Sequence, residues 1–116
     1  MVQQGQVYWL ERPREGSVDV RHPHVVLQED HFNDSRIATT VVAALTSNPR
    51  RATEPGNVAL DAGEAGLPRP SVVVVSQLEV VDKADLVDLI GQLSPTRVQQ
   101  VVAGLRMQQR SFSRQG

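Results

Sequence analysis

The sequence predicts a mainly β fold, a small curled antiparallel sheet or partly open barrel of five to seven short strands with one C-terminal helix. Stretches rich in Val, Thr, Ile and aromatic residues recur along the chain, and clusters of Gly, Pro, Asn and Ser separate them. Only the segment after Ser94 shows the apolar spacing of a long amphipathic helix. With 116 residues the chain has room for a single domain, residues 1–116, with one modest core.

Composition and charge narrow the class of protein. The formal net charge is -1 and the pI is about 6.3, so no global charge indicates a nucleic-acid partner. The absence of cysteine excludes disulfides, thiol catalysis and thiolate metal sites. The longest aliphatic run, 72–75, is too short to cross a bilayer, and residues 1–5 lack the segments of a secretory signal. We therefore expect a cytoplasmic protein without a membrane partner.

The strands are predicted from local composition. Val, Tyr and Trp in 6–10 suit a pleated surface, and a second strand begins near His24, because proline is tolerated at the start of a strand but not inside a central one. The polar stretch 29–35 predicts a turn, and 48–56 predicts a long loop. Further strands are predicted at 37–45, 57–60 and 71–77, the last continuing over 78–82 after a bend.

The C-terminal part of the chain is predicted to be helical. Residues 83–90 are predicted to hold a short helical turn. Ser94 suits a helix N-cap and Pro95 suits the first helical position. The apolar stripe of this helix consists of Val98, Val101, Val102 and Leu105. The polar residues 108–116 are predicted to form a flexible tail.

The segment 37–45 predicts the central strand, because it is rich in β-branched residues and contains neither Gly nor Pro. It ends at Thr46, and the polar residues Ser47 and Asn48 follow. The end of a buried strand holds its side chains rigidly while exposing them to solvent, which makes this corner a candidate site. The alternative is a plain surface turn, since Ser, Asn and Pro all favour turns.

Three histidines suggest a second hypothesis, a metal site. His22 and His24 form a possible chelating pair, with His31 or Asp30 as a third ligand. This spacing is unspecific, and histidines beside strands are common. The sequence contains no Gly-rich phosphate loop and no helical His-Glu-x-x-His motif. We therefore expect no metal ion and no other cofactor.

Short motifs follow one another in a fixed order over residues 5–106. They are Gly5-x-Val7-Tyr8-Trp9, Arg21-His22-Pro23-His24-Val25-Val26, Ala44-Leu45-Thr46-Ser47-Asn48, Asn57-Val58-Ala59-Leu60, Gly66-Leu67-Pro68, Ser71-Val72-Val73, Ser76-Gln77-Leu78, Val81-Asp82-Lys83 and Ile90-Gly91-Gln92-Leu93-Ser94. Each motif is weak alone, but their order and spacing together are specific. In this order the chain resembles the MazF/PemK (Kid) toxins over nearly its whole length.

The resemblance implies an SH3-like barrel of the CcdB/PemK kind and a homodimer. It also implies a sequence-selective, metal-independent endoribonuclease toxin of a type II toxin-antitoxin system. Such a toxin cleaves single-stranded RNA, here mRNA, to inhibit translation, and a cognate antitoxin protein holds it inactive. The related CcdB toxins share the fold but bind DNA gyrase without cleaving nucleic acid. A binding toxin of that type, or an inactive barrel binding module, is therefore the alternative.

The catalytic residues are assigned from the resemblance and from phosphate chemistry. In the family a catalytic arginine directly precedes the proline, and a catalytic Thr or Ser closes the central strand. Thr46 matches, but Arg21-His22-Pro23 departs from the pattern, so either Arg21 is displaced by one residue or His22 takes the arginine's place. Arginine clamps anions but is a poor base, whereas histidine transfers protons near neutral pH.

We therefore predict that Arg21 stabilises the phosphorane and that Thr46 positions the phosphate. His22 is a candidate acid or base, with an ordinary solvated histidine as the alternative. Near-neutral net charge does not exclude a local basic rim formed by Arg12, Arg14, Arg50 and Arg51. The residues predicted to bind substrate are Ser47, Asn48, Gln77, Arg12 and Arg14.

Overall fold

A computed structural model describes the backbone of residues 1–11 and 22–115 and the side chains of 1–11 and 22–110. Within these residues the strands form one antiparallel sheet, composed of β1 (Gln6–Leu10), β2 (Pro23–Val26), β3 (Thr39–Thr46), β4 (Val58–Leu60), β5 (Ser71–Asp82) and β6 (Leu86–Gln92). The helices are α1 (Asp30–Asn33) and α2 (Pro95–Gln115), with short 3₁₀ turns at Pro49–Thr53, Glu64–Gly66 and Lys83–Asp85.

The sheet is curled, and its two edges are bridged. The strand order is β4-β5-β3-β2-β1-β6, so β4 and β6 are the edge strands. The 3₁₀ turn that follows β4 packs against β6 so closely that a Cβ atom on Gly91 would overlap the carbonyl oxygen of Ala65. Glycine at this position therefore permits the close approach. The mainly β class with a C-terminal helix, predicted from the sequence, is confirmed.

Apolar side chains form one cluster on each face of the sheet. The larger cluster fills the inside of the curl beneath α2 and includes Val7, Val25, Ala43, Leu45, Val73 and Val101. The smaller cluster consists of Leu10, Val26, Val42, Val81 and Leu86. β3 contributes to both clusters and lies between β5 and β2, which confirms the prediction of a central strand.

The segment 83–90 contains the predicted short helical turn, a 3₁₀ turn at Lys83–Asp85. The rest of the segment belongs to β6, a strand that the sequence analysis did not predict, and β6 pairs with β1. Asp88 lies in an irregularity of this pairing with a φ of 52°, and its neighbour Leu89 is exposed. Because β6 is an edge strand and contains a bulge, its apolar and polar residues do not alternate regularly. The composition of the segment therefore did not predict a strand.

Helix α2 begins as predicted. Ser94 caps it, because its Oγ accepts a hydrogen bond of 3.2 Å from the backbone N–H of Arg97. Val101 of the predicted stripe is fully buried. The helix continues to Gln115, so residues 108–115 are helical, and their flexibility stays a prediction. Within the described residues no helix, α2 included, is both long and apolar enough to cross a bilayer.

A buried polar network fixes the connection between β2 and β3, where α1 replaces the predicted simple turn. Asn33 of α1 is only 2% exposed. Its Nδ2 donates to the carbonyl oxygen of Gln28 at 2.7 Å, and its Oδ1 accepts from Oγ1 of Thr40 at 2.8 Å. Nζ of Lys83 donates to the backbone carbonyl oxygen of Asn33 at 2.6 Å. These bonds satisfy the buried groups and anchor α1 at the beginning of β3, the end remote from Thr46.

Candidate functional site

The candidate site lies where β3 ends between the beginnings of its two neighbouring strands, β2 and β5. This border of strand ends is called the edge that carries the site, as distinct from the edge strands β4 and β6. β2 pairs with β3 through His24 and Ala44, and β5 pairs with β3 through Val72 and Thr46. Continuing the antiparallel β2–β3 register by two residues places His22 opposite Thr46. The tertiary structure therefore brings together two motifs that are separate in the sequence.

The corner that follows β3 is held by its own side chains. Thr46 is half-buried, and its Oγ1 accepts a hydrogen bond of 3.2 Å from the backbone N–H of Asn48. Oδ1 of Asn48 accepts from the backbone N–H of Arg50 at 3.1 Å and thereby caps the 3₁₀ turn. Both contacts use acceptor atoms, and among the described residues the hydroxyl hydrogen of Thr46 and the amide hydrogens of Asn48 donate to no other group. With Ser47 exposed between them, the corner suits an anionic ligand.

The beginning of β2 carries two histidines with different environments. His22 is exposed, whereas His24 is 8% exposed. Nδ1 of His24 lies 2.8 Å from the carbonyl oxygen of His22, and its Nε2 lies 4.0 Å from Oε2 of Glu79 on β5. Tyr8 of β1 pairs with His24, and burial raises the pKa of the Tyr8 phenol. The phenol therefore keeps its hydrogen at neutral pH and donates it to Oε1 of Gln6 at 2.8 Å.

The described residues do not assemble the hypothetical metal site. Among them no group of three His, Cys, Asp or Glu side chains is placed to hold a metal ion. His31 and Asp30, considered as third ligands, lie on α1 at the beginning of β3. His24, by contrast, pairs with Ala44 near the other end of that strand.

Gln77 of β5 lies near the end of β3 because the pairing of β5 with β3 is irregular. The β3–β5 pairing shifts between Ala43–Leu78 and Leu45–Val73, so β5 has additional residues opposite Ala44. Gln77 is exposed within this bulge, across β3 from His24. The bulge therefore explains how a residue distant from Thr46 along β5 remains near the same part of the sheet.

Three predicted site residues, Arg21, Arg12 and Arg14, lie outside the described residues, and their roles stay predictions. Of these, Arg21 directly precedes His22 in the chain. Two of the described basic residues at this edge are Arg50, which is exposed, and Arg51, whose Nε lies 2.7 Å from Oε2 of Glu54. The carboxylate of Glu54 thus offsets part of the local positive charge.

Two further residues at this edge were missed by the sequence reasoning. Arg69 is exposed and precedes β5 by two residues, so the pairing of Val72 with Thr46 brings it to the same edge. Glu79 reaches His24 from β5 across β3. Only the pairing register of the strands shows that these two residues lie near the site, and the register cannot be read from local composition.

The comparisons with known proteins agree with one another. Residues 3–108 match the family described as PemK-like, MazF-like toxin of type II toxin-antitoxin system. The chain is 39% identical over 108 residues to endoribonuclease MazF6 of Mycobacterium tuberculosis, covering 91% of this chain and 95% of the relative. It is 34% identical over 110 residues to endoribonuclease EndoA of Bacillus subtilis, covering 92% and 93%.

Solved structures support the fold. An endoribonuclease in complex with its cognate antitoxin from mycobacterial species superposes with a TM-score of 0.75 at 23% identity, over 92% of this chain and 93% of that chain. A MazE-MazF complex from Deinococcus radiodurans gives a TM-score of 0.68 at 19% identity, over 89% of each chain. At these identities the likeness concerns the fold alone.

Proposed function

Because the chain belongs to the PemK-like, MazF-like toxins of type II toxin-antitoxin systems, we propose that it is an endoribonuclease that cleaves single-stranded RNA without a metal ion. The observation that supports the proposal is the pairing of His24, near the beginning of β2, with Ala44, two residues before β3 ends at Thr46. The relatives MazF6 and EndoA carry the name endoribonuclease, which supports the same activity here. The family match favours this reading over a gyrase-binding toxin or an inactive module.

The chemistry needs three groups around one phosphate. The RNA 2′-oxygen loses its proton and attacks phosphorus, while the bond to the 5′-oxygen breaks and that oxygen gains a proton. The products are a 2′,3′-cyclic phosphate and a 5′-hydroxyl. In the proposal, Arg21 stabilises the charge of the phosphorane, and Thr46 donates its hydroxyl hydrogen to a phosphate oxygen. His22 acts as the base or the acid.

The same edge offers binding groups for the rest of the RNA. Amide and hydroxyl donors of Ser47, Asn48 and Gln77 are exposed there, and Arg50 adds positive charge. Phosphate contacts of this kind position a nucleic acid, and base contacts select its sequence. Arg12 and Arg14 are proposed to extend the binding surface.

The proposed partners follow from the family. Solved relatives occur in complexes with antitoxins, and we propose a cognate antitoxin for this toxin as well. A small acidic, partly disordered segment that covers Arg21 and Thr46 would replace the RNA phosphates and inhibit cleavage. We further propose that the toxin acts as a homodimer on mRNA in the cytoplasm and so inhibits translation.

Incubating the purified protein with a long single-stranded RNA in EDTA tests the activity. We expect cleavage that survives chelation and yields fragments with 2′,3′-cyclic phosphate and 5′-hydroxyl ends. An RNA with 2′-O-methyl at the cut site is the matched control and is expected to resist, because it lacks the nucleophile. Cleavage of that control, or a strict requirement for a divalent metal, contradicts the mechanism.

A further inference from the structure

The peptide that joins His22 to Pro23 is held by a side chain of β2. Nδ1 of His24 lies 2.8 Å from the carbonyl oxygen of His22. A peptide carbonyl only accepts hydrogen bonds, so Nδ1 carries a proton and donates it. Pro23 has no N–H with which to attach this part of the chain to a neighbouring strand. The imidazole of His24 therefore supplies an anchor that the proline cannot supply.

His24 is itself firmly placed. The residue as a whole is 8% exposed, and its backbone pairs with Tyr8 of β1 on one side and Ala44 of β3 on the other. At the far end of the ring, Nε2 lies 4.0 Å from Oε2 of Glu79. Rotating the ring by half a turn would exchange Nδ1 for a carbon atom and break the bond to the His22 carbonyl. Both contacts, the ones that the described residues make with the ring, favour this orientation.

We propose that His24 is a positioning residue for RNA cleavage. By holding the carbonyl of His22, it sets the direction in which His22 leaves β2, where the continued β2–β3 register places His22 opposite Thr46. This role rests on the proposed endoribonuclease function. His24 acts through its neighbours rather than on the reacting atoms. Loss of its bond is therefore expected to displace the catalytic groups while the outer contacts to RNA persist.

Three substitutions of His24 distinguish the effect of its hydrogen bond from the effect of the volume that its side chain fills. In His24→Asn the side-chain amide takes the place of Nδ1, whereas in His24→Gln it takes the place of Nε2, and His24→Leu removes every donor. We expect His24→Leu and His24→Gln to lower kcat about 10–100-fold, because misplacement of a catalytic group by about 1 Å costs up to about 100-fold. KM is expected to change by less than about threefold, since ground-state binding is retained. His24→Asn is expected to recover most of kcat.

Cleavage is measured on single-stranded RNA in EDTA, with the melting temperature of each variant determined in parallel. His31→Leu is the matched control, because it replaces an exposed histidine on α1 by the same residue and is expected to leave kcat unchanged. Imidazole NMR of the wild type is expected to show a slowly exchanging proton on Nδ1 of His24. If His24→Leu does not fold, the comparison of His24→Asn with His24→Gln decides.

The outcomes distinguish this proposal from the one on which it rests. A wild type that cleaves no RNA overturns both proposals. A wild type that cleaves RNA, together with a His24→Leu or His24→Gln variant of normal kcat, overturns the positioning role alone. Equal losses in His24→Asn and His24→Gln, or an Nδ1 without a bound proton, also overturn it.

Discussion

At the scale of single residues, the proposed mechanism gives different roles to Arg21 and His22. If Arg21 clamps the phosphorane, Arg21→Ala is expected to slow cleavage by about 10²–10³-fold, as loss of a preorganised donor does. Arg21→Lys is expected to restore only part of the rate, because an ammonium group cannot make the bidentate contact. Single-turnover cleavage rates measure both changes. Near-normal turnover of Arg21→Ala would show that His22 has taken the arginine's place.

His22 is expected to transfer a proton, so His22→Ala should slow cleavage by about 10²-fold or more. The pH–rate profile of the wild type should contain a limb that His22→Ala removes, because an imidazole is the side chain best suited to proton transfer near neutral pH. Measuring kcat of both proteins as a function of pH checks this expectation. An unchanged rate and profile would identify His22 as an ordinary exposed histidine.

Substitutions of Thr46 test whether the hydroxyl group at the end of β3 contributes to cleavage. Thr46→Val keeps the shape of the side chain but removes the hydroxyl, and we expect it to slow cleavage by about 10²-fold. Thr46→Ser keeps the hydroxyl and should retain most of the activity. Thr96→Val, at an exposed position in the first turn of α2, is the matched control and should leave the rate unchanged. Equal rates for Thr46→Val and wild type would exclude a role of the hydroxyl.

At the scale of elements, α2 packs against the loop before β4 through two glycines. A Cβ atom on Gly104 would overlap the carbonyl oxygen of Gly56. Helix propensity alone would make Gly104→Ala stabilising by about 1 kcal/mol. We expect the opposite sign, a loss of about 1–3 kcal/mol, because overpacking against backbone forces the elements apart. Ala103→Gly, at the exposed neighbouring position, measures the propensity term as the control. Urea unfolding that showed Gly104→Ala to be stabilised would contradict the close packing.

The 3₁₀ turn that bridges the sheet edges is attached to α2 by an ion pair. Nε and Nη2 of Arg97 donate to the two carboxylate oxygens of Glu64 at 2.9 and 3.0 Å, and these bonds lower the pKa of Glu64. A lowered folded-state pKa stabilises the fold above the unfolded value, and this contribution is lost as the pH falls through the folded value.

Glu64→Gln is therefore expected to unfold more easily than the wild type at pH 7, by about 0.5–1 kcal/mol, the scale of a partly exposed pair. The difference should shrink as the pH falls below the ordinary glutamate pKa of 4.5. Urea unfolding at pH 7 and at acidic pH measures it, with Glu29→Gln as a control at an exposed carboxylate. A difference independent of pH would show that the ion pair does not stabilise the fold.

At the scale of the whole molecule, we expect a homodimer whose subunits together line the RNA groove, because ligand sites favour interfaces. Large apolar side chains are exposed on β5, where Leu78 is 39% and Val80 is 65% exposed. Residues two apart in a strand share a face, so these two side chains form a local apolar surface. Sedimentation velocity at micromolar concentration is expected to give a dimer, and Leu78→Glu is expected to weaken it. Purely monomeric wild type would exclude this assembly.

The sequence by itself determined the class of fold, the strand that ends at Thr46 and the cap of α2 at Ser94. These features depend on residues that are neighbours in the chain, through β-branched composition, helical spacing and capping chemistry. The order of the motifs also indicated the toxin family that the comparisons then established.

Only the tertiary structure decided which distant residues meet. The pairing of His24 with Ala44 brought the beginning of β2 to the end of β3 that closes at Thr46, and the bulge in β5 placed Gln77 near the same edge and Glu79 beside His24. The edge strand β6 likewise depended on its pairing with β1. Strand register and bulges arise from packing between separate segments, and a shift of one residue reverses the face of every side chain. Local composition does not encode that register, so the partners of Thr46 and His24 emerge only from the folded chain.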